Sequence, residues 1–335
     1  MRVAETIMNQ YKATVINEGS ILDMHMIAKL IHLGYQKLHV YVDTDDEIES
    51  QSIESVQKEY SQNINTMKNV LRDISAGKNL DMPTISNVSN MMYDRQGNFV
   101  GVFACLNQLR DADEYTYSHC LNVAFICMFI GKWLNFNSDE MKAVLQAGLL
   151  HDVGKCRVPE EILNKPSSLT EQEFEQIKKH PVYGYRILEN VKDVRPTTAI
   201  AALTHHEKIN GKGYPLGLKS EKIHLYGRIT AIADIYDAMT SNRVYNKKSS
   251  PFQVFGILED LMYGSLDPEL VLIFLNNLAG YYVGDRVRLS NSMEGIVVFI
   301  NPRAISKPVV QTNNGVMDLL VPAYNELHIS EILHN

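Results

Sequence analysis

The chain has 335 residues, 45% hydrophobic and 21% charged, a composition that belongs to folded globular proteins and excludes whole-chain disorder. Lys plus Arg number 32 against 39 Asp plus Glu, a formal charge of -7, so electrostatics alone gives no hold on duplex nucleic acid or an anionic membrane. Cys105, Cys120, Cys127 and Cys156 form no CxxC pair and read as reduced thiols of a cytoplasmic protein.

The amino-terminal stretch lacks the basic start and unbroken apolar core of a signal peptide. Residues 1–43 then combine short mixed runs, a helical pattern from Leu22 to Leu33 that stops at Gly34, and the alternation Leu38, Val40, Val42. They read as a small β/α module. Residues 44–100 are polar, with Ile53, Val56, Tyr60, Ile64, Met67, Val70, Leu71 and Ile74 at helical gaps of three and four. That stripe predicts an amphipathic connector that docks on a neighbouring element or pairs two copies as a homodimer, against the alternative of a solvated spacer.

Residues 101–279 hold helices with short turns. The most apolar run, Leu121 to Leu134, contains Asn122 and Lys132 and is too short to cross a hydrocarbon layer of ~30 Å, so no membrane anchor is expected. Thr170 to Glu173 has the form of a capping box, and Pro181 marks the end of one helix and the start of the next. From Arg228 to Met239 an apolar face of Ile229, Ile232, Ile235, Tyr236 and Met239 carries Asp234 at or near a buried surface. Residues 280–335 turn to β-like runs at Asp285–Leu289, Gly295–Ile300, Val309–Gln311 and Met317–Val321, separated by Asn-, Gly- and Pro-containing turns. The expected fold is mainly α, with a small β-plus-helix module before it and a small β module after it.

Five histidines of the helical region, His119, His151, His180, His205 and His206, accompany Asp152 and Asp234. A lone histidine on a helix is usually a core residue. Five with two carboxylates are instead the donor set of a divalent metal pair, in which Asp152 of the His151-Asp152 step can lie between two ions. Lys155 follows the pair across Gly154 and can reach a phosphoryl oxygen, and Arg243 can clamp a phosphate with two nitrogens. In His205-His206-Glu207-Lys208-Ile209-Asn210-Gly211-Lys212-Gly213-Tyr214-Pro215 the glycines let the loop bend sharply. Tyr214 either meets a ligand or walls the loop against the histidines.

These pieces resemble the HD-GYP branch of the HD phosphohydrolases. The matching segments, in order over about 180 residues, are Tyr115-Thr116-Tyr117-Ser118-His119, His151 to Lys155, His180-Pro181-Val182-Tyr183-Gly184, the Gly213-Tyr214-Pro215 loop, and Arg228 to Ser241 followed by Arg243 and Tyr245. The resemblance implies a helical catalytic domain that hydrolyses cyclic di-GMP to pGpG, and in some members to GMP, with two divalent ions, commonly iron or manganese. It implies His119, His151, Asp152 and Asp234 on one ion, and Asp152, His180, His205 and His206 on the other, with a bridging hydroxide as nucleophile. Lys155, Tyr214 and Arg243 would contact substrate, and Glu207 and Asp237 would back the ligand histidines. Tyr115 stands where some members carry a glutamate for a third metal, which favours two ions. Asn242-Arg243-Val244-Tyr245-Asn246 departs from the usual Asp-Arg-Pro-Tyr pattern, which bears on ligand preference. A catalytically silent cyclic di-GMP receptor and an enzyme for another cyclic dinucleotide are the alternatives.

Overall fold

The computed structural model describes residues 53–98, 115–163, 165–241 and 249–333, together with 102, 103, 105, 106 and separate positions between 2 and 41. The long amphipathic stripe folds as helix α1 (Ile53–Ser75), which buries Val56, Tyr60, Met67, Val70, Leu71 and Ile74. Each such side chain contributes about 1.5–3 kcal/mol of transfer free energy, so α1 is firmly seated on its own chain. A dimer through this helix would have to use its other face. Helix α2 (Met82–Asp94) begins at Asp81, whose carboxylate accepts from the Thr84 amide, with Pro83 in the first turn.

Helix α3 (Tyr115–Trp133) is the axle of the molecule: every residue from Ser118 to Gly131 is buried. Its mainly apolar surface is therefore a core feature, broken by the buried polar residues Ser118, His119 and Asn122, and no helix among the described residues is long and apolar enough to cross a membrane. Around it pack α4 (Ser138–Leu150), a 3-10 turn at Val153–Arg157, α5 (Glu160–Leu163), α6 (Glu171–Ile177), α7 (His180–Leu188), α8 (Pro196–Thr204), α9 (Leu225–Thr240), α10 (Pro251–Leu261) and α11 (Pro268–Ala279). The Thr170 cap forms as the sequence predicts: Thr170 Oγ1 accepts from the Glu173 amide at 3.3 Å and Glu173 Oε2 accepts from the Thr170 amide at 2.7 Å. Pro181 lies in the first turn of α7, where its missing N–H costs nothing.

Before α1, strand β1 (Arg2–Val3) pairs antiparallel with β4 (Val40–Tyr41), and β2 (Ile7–Met8) with β3 (Thr14–Ile16). Val3, Ile7, Ile16, Leu22 and Leu30 form an apolar cluster of their own. The helix predicted from Leu22 to Leu33 falls largely outside the described residues.

After α11, strands β5 (Arg286–Leu289), β6 (Glu294–Phe299), β7 (Val309–Thr312), β8 (Gly315–Asp318) and β9 (Ile329–Leu333) make an antiparallel sheet in the order β8-β7-β6-β5-β9. Asn313-Asn314 is a two-residue hairpin loop between Thr312 and Gly315. The run predicted at Met317–Val321 is a strand only over Gly315–Asp318, and it turns at Leu319–Val321. Strand β9 has no counterpart among the sequence expectations. It finds its place beside β5 through the pair Val287 and Ile332, a long-range contact that five residues of sequence do not announce. The sheet is fastened to the helices: Glu259 of α10 accepts from the Ile305 amide at 2.6 Å, and Ser250 Oγ donates to the Ile329 carbonyl.

Candidate metal centre

Seven side chains from five segments converge at one place. His119 comes from α3, His151 and Asp152 from the end of α4, His180 from the start of α7, His205 and His206 from the end of α8, and Asp234 from α9. Three of these histidines are held the same way. His151 Nδ1 lies 2.8 Å from the Gly148 carbonyl, His180 Nδ1 2.8 Å from that of Ile177, and His205 Nδ1 2.9 Å from that of Ala202. These are carbonyls of the last turns of α4, α6 and α8, which have no amide partner in their own helix and so are open to an imidazole N–H. A carbonyl only accepts, so each Nδ1 carries the hydrogen and each Nε2 presents a lone pair.

Those lone pairs face one another and face carboxylates. His180 Nε2 and His205 Nε2 are 3.3 Å apart, and His180 Nε2 is 3.3 Å from Asp152 Oδ1. On the other side of Asp152, Oδ2 is 3.4 Å from His151 Nε2 and 3.7 Å from His119 Nε2, while Asp234 Oδ1 is 3.1 Å from His119 Nε2. His206 Nδ1 is 3.9 Å from Asp234 Oδ2. His151 Nε2 and Asp152 Oδ1 are fully buried and make no hydrogen bond. A dry cluster of acceptors turned on acceptors is stable only around a cation, so the donor set fits divalent metal ions that take imidazole and carboxylate. The groups whose ligand atoms all lie within 4.8 Å are Asp152, His180, His205 and His206; His119, His151 and Asp152; and His151, His205 and Asp234.

Protonation supports the same reading. Burial, then the neighbouring imidazoles, hold His205 well below the usual histidine range, and burial brings His206 down to about 4. Burial opposes ionisation of Asp152 and Asp234, yet Lys155 and His151 around the first and His119 beside the second keep both carboxyls lowered and ionised. His119 behaves differently: burial disfavours its charge, but the hydrogen bonds to Asp234 and Asp237 outweigh burial and raise it to about 9. A metal taking His119 Nε2 must therefore displace a proton. Apparent metal affinity should rise about tenfold per pH unit up to pH about 9 and level off above it, a slope that chelator competition with Mn²⁺ between pH 6.5 and 9.5 would measure.

Lys155 stands in the 3-10 turn with its ammonium on Asp152 Oδ2. His206, Asp234 and Lys155 keep 24, 15 and 32% of their side-chain surface exposed, whereas the other members of the cluster are nearly sealed. That side is the opening. Tyr214 lines it, its ring stacked on His206 at 4.7 Å between centroids, with Lys178 Nζ 5.6 Å from the ring centre. Burial raises the Tyr214 phenol, so it is a neutral hydroxyl at physiological pH. Its loop folds back so tightly that a Cβ on Gly213 would stand 2.3 Å from the Lys208 nitrogen.

Glu207 does not back a ligand histidine, as the sequence reading expected. Its buried carboxylate accepts from the amides of Leu216 at 2.6 Å and Leu218 at 2.9 Å, because the returning loop brings two otherwise unpaired N–H groups to it. Asp237 meets His119 Nδ1 with Oδ2 at 2.7 Å. Arg243 and Tyr245 lie outside the described residues. Asn122, which the sequence reading passed over as a polar interruption of an apolar run, donates from Nδ2 to Asp237 Oδ1 at 2.8 Å. Its signal was its spacing: Asn122 is three residues from His119 and shares its helix face.

The family model described as an HD domain matches residues 104–270. The chain belongs to the HD domain family, and its Gly213-Tyr214-Pro215 loop places it in the HD-GYP branch. It is 33% identical over 242 residues to a cyclic di-GMP phosphodiesterase of Pseudomonas aeruginosa, covering 72% of this chain and 58% of that protein. It is 36% identical over 170 residues to 3'3'-cGAMP-specific phosphodiesterase 1 of Vibrio cholerae, covering 50% and 39%, and 37% identical over 176 residues to a cyclic di-GMP phosphodiesterase of Thermotoga maritima, covering 52% and 48%. The chain thus spans about half the length of these relatives. In fold it is similar to Bd1817, an HD-GYP protein from Bdellovibrio bacteriovorus, with TM-score 0.56 and 14% identity over 83% of this chain and 95% of that one.

Proposed function

We propose that the chain is a metal-dependent phosphodiesterase that opens cyclic di-GMP to linear pGpG, whose remaining phosphodiester is open to the same chemistry on the way to GMP. The observation that carries this reading is the sealed cluster of facing imidazole and carboxylate acceptors with Lys155 at its mouth. Two divalent ions, iron or manganese, would be held by His119, His151, Asp152 and Asp234 and by Asp152, His180, His205 and His206. Such ions supply a nucleophile at neutral pH and offset phosphoryl charge, worth several kcal/mol at the transition state.

The chain's own residues do the rest. Asp152 and Asp234 keep the pocket anionic enough to retain cations. Lys155, paired with Asp152, presents a positive charge to a phosphoryl oxygen entering from the open side. Tyr214 walls that side and offers a neutral hydroxyl, while Glu207 anchors the loop that carries it. Arg243 would orient a phosphate or guanine.

The names of the Vibrio cholerae relatives favour a second reading, the same chemistry on 3'3'-cGAMP. Protein loaded anaerobically with iron or with manganese, and assayed side by side on both dinucleotides with chromatographic product identification, should release pGpG from cyclic di-GMP and lose this activity on chelation. A higher rate on 3'3'-cGAMP would select the second reading. Tight binding of cyclic di-GMP without any product would make the chain a receptor instead.

A further inference from the structure

The centre is braced from outside the stretch that carries its ligands. Tyr60 lies in α1, and its side chain is buried against α3 with its ring stacked on Phe125. Its hydroxyl donates to Asn122 Oδ1, with the Ser118 carbonyl 3.4 Å away. The other end of the same amide, Asn122 Nδ2, donates to Asp237 Oδ1, which also accepts from Ser241 Oγ at 3.1 Å. Asp237 Oδ2 takes the His119 Nδ1 hydrogen, and His119 Nε2 points at Asp234 and Asp152. Tyr60, Asn122, Asp237 and His119 are all buried, so no water competes for these bonds.

We propose that Tyr60 and Asn122 are positioning residues of the metal centre, and that α1 sets the orientation of His119 through them. The direction of each bond is fixed. The phenol has one hydrogen and gives it to the amide oxygen, which forces the amide NH₂ toward Asp237. With Asn122 and Ser241 both donating to Oδ1, the carboxylate is held with Oδ2 aimed at His119 Nδ1. That in turn fixes the imidazole tautomer with its lone pair on Nε2, the atom that faces the cluster. The three carbonyl-held histidines, His151, His180 and His205, draw their orientation from the helix ends beside them. His119 sits within a helix whose carbonyls are taken, so it needs a side-chain chain of bonds. Tyr60 is 44 residues before the HD domain match begins, so the centre draws on a residue the match does not contain. A second tie runs the same way: Cys156 Sγ, beside Lys155, lies 3.5 Å from the Leu71 carbonyl of α1.

The inference rests on the metal-centre reading but needs no substrate, so it is tested on full-length protein by Mn²⁺ affinity alone, in chelator competition, with folding followed by circular dichroism. Partners of ligand histidines affect metal affinity by about 10–100-fold when removed. Tyr60→Phe, which keeps the ring and deletes the hydroxyl, should weaken Mn²⁺ binding about tenfold, and Asn122→Asp, which sets a second carboxylate against Asp237, by about 100-fold. Phe125→Leu loosens the same α1–α3 contact without touching a hydrogen bond, and should lower thermal stability while leaving the affinity unchanged. Unaltered affinity in Tyr60→Phe, or a loss in Phe125→Leu as large as in Tyr60→Phe, would overturn the proposal, as would wild-type protein that binds no Mn²⁺. Absence of nucleotide turnover would count against the phosphodiesterase reading alone.

Discussion

The D152N protein will turn over cyclic dinucleotide at least about 10³-fold more slowly than the wild type, and will bind less than a full complement of metal. Asp152 is within 4 Å of His119, His151, His180 and His205, two on each of its oxygens, and its side chain is the more deeply buried of the two carboxylates in the cluster. Replacing it by the neutral isostere removes a negative charge shared by the donor groups and turns an N–H₂ toward imidazole lone pairs. A loss of about 4 kcal/mol in transition-state stabilisation corresponds to that factor. The fold should survive, because the Asp152 side chain makes no capping bond to the 3-10 turn that follows it. Turnover, metal stoichiometry by elemental analysis and a melting curve distinguish the outcomes. Near-normal turnover by a metal-replete D152N protein would remove Asp152 from the centre.

The second large effect belongs to Gly154. A Cβ there would lie 2.0 Å from the His180 carbonyl oxygen and 2.4 Å from the Gly184 nitrogen, both backbone atoms that no rotamer change can move. Gly154→Ala must push the 3-10 turn away from α7, and Asp152 away from His180. Overpacking of this severity costs about 3 kcal/mol or more, equivalent to a melting temperature lower by roughly 6–12 °C. Metal affinity should fall with it. Gly97→Ala is the matched control, because nothing stands within 4 Å of a Cβ at that position. Equal melting temperatures for the two variants would contradict the close approach.

Residues whose chemistry is local were the legible ones. The Thr170–Glu173 cap, the break at Pro181 and the stripe on α1 all follow from contacts within a few residues, and each appears in the fold where the spacing puts it. The histidines and the two aspartates could be gathered from sequence because so many metal-type donors have little reason to sit on apolar helix faces otherwise. Glu207 shows the limit. Its neighbour in sequence is His206, but its partners are amides nine and eleven residues ahead, decided by the path of the loop. Strand β9 and the Tyr60–Asn122 bond depend likewise on contacts 40 to 62 residues away, which a single sequence does not encode in its local pattern.

The C-terminal sheet has a consequence for how the molecule comes apart. Val287, Leu289, Val297, Val310 and Ile329 belong to the same continuous apolar core as Phe252, Phe255 and Phe274 of the helices, whereas the residues around Val3 and Ile16 form a separate cluster. Helices and sheet should therefore melt as one cooperative unit, with the hydrogen bonds from Ser250 and Glu259 to the sheet breaking in the same step that releases the metal ligands. The sheet is the closing wall of the helical core, and its integrity should be reported by the same transition as that of the centre, whose last ligand, Asp234, lies 52 residues before the first strand at Arg286.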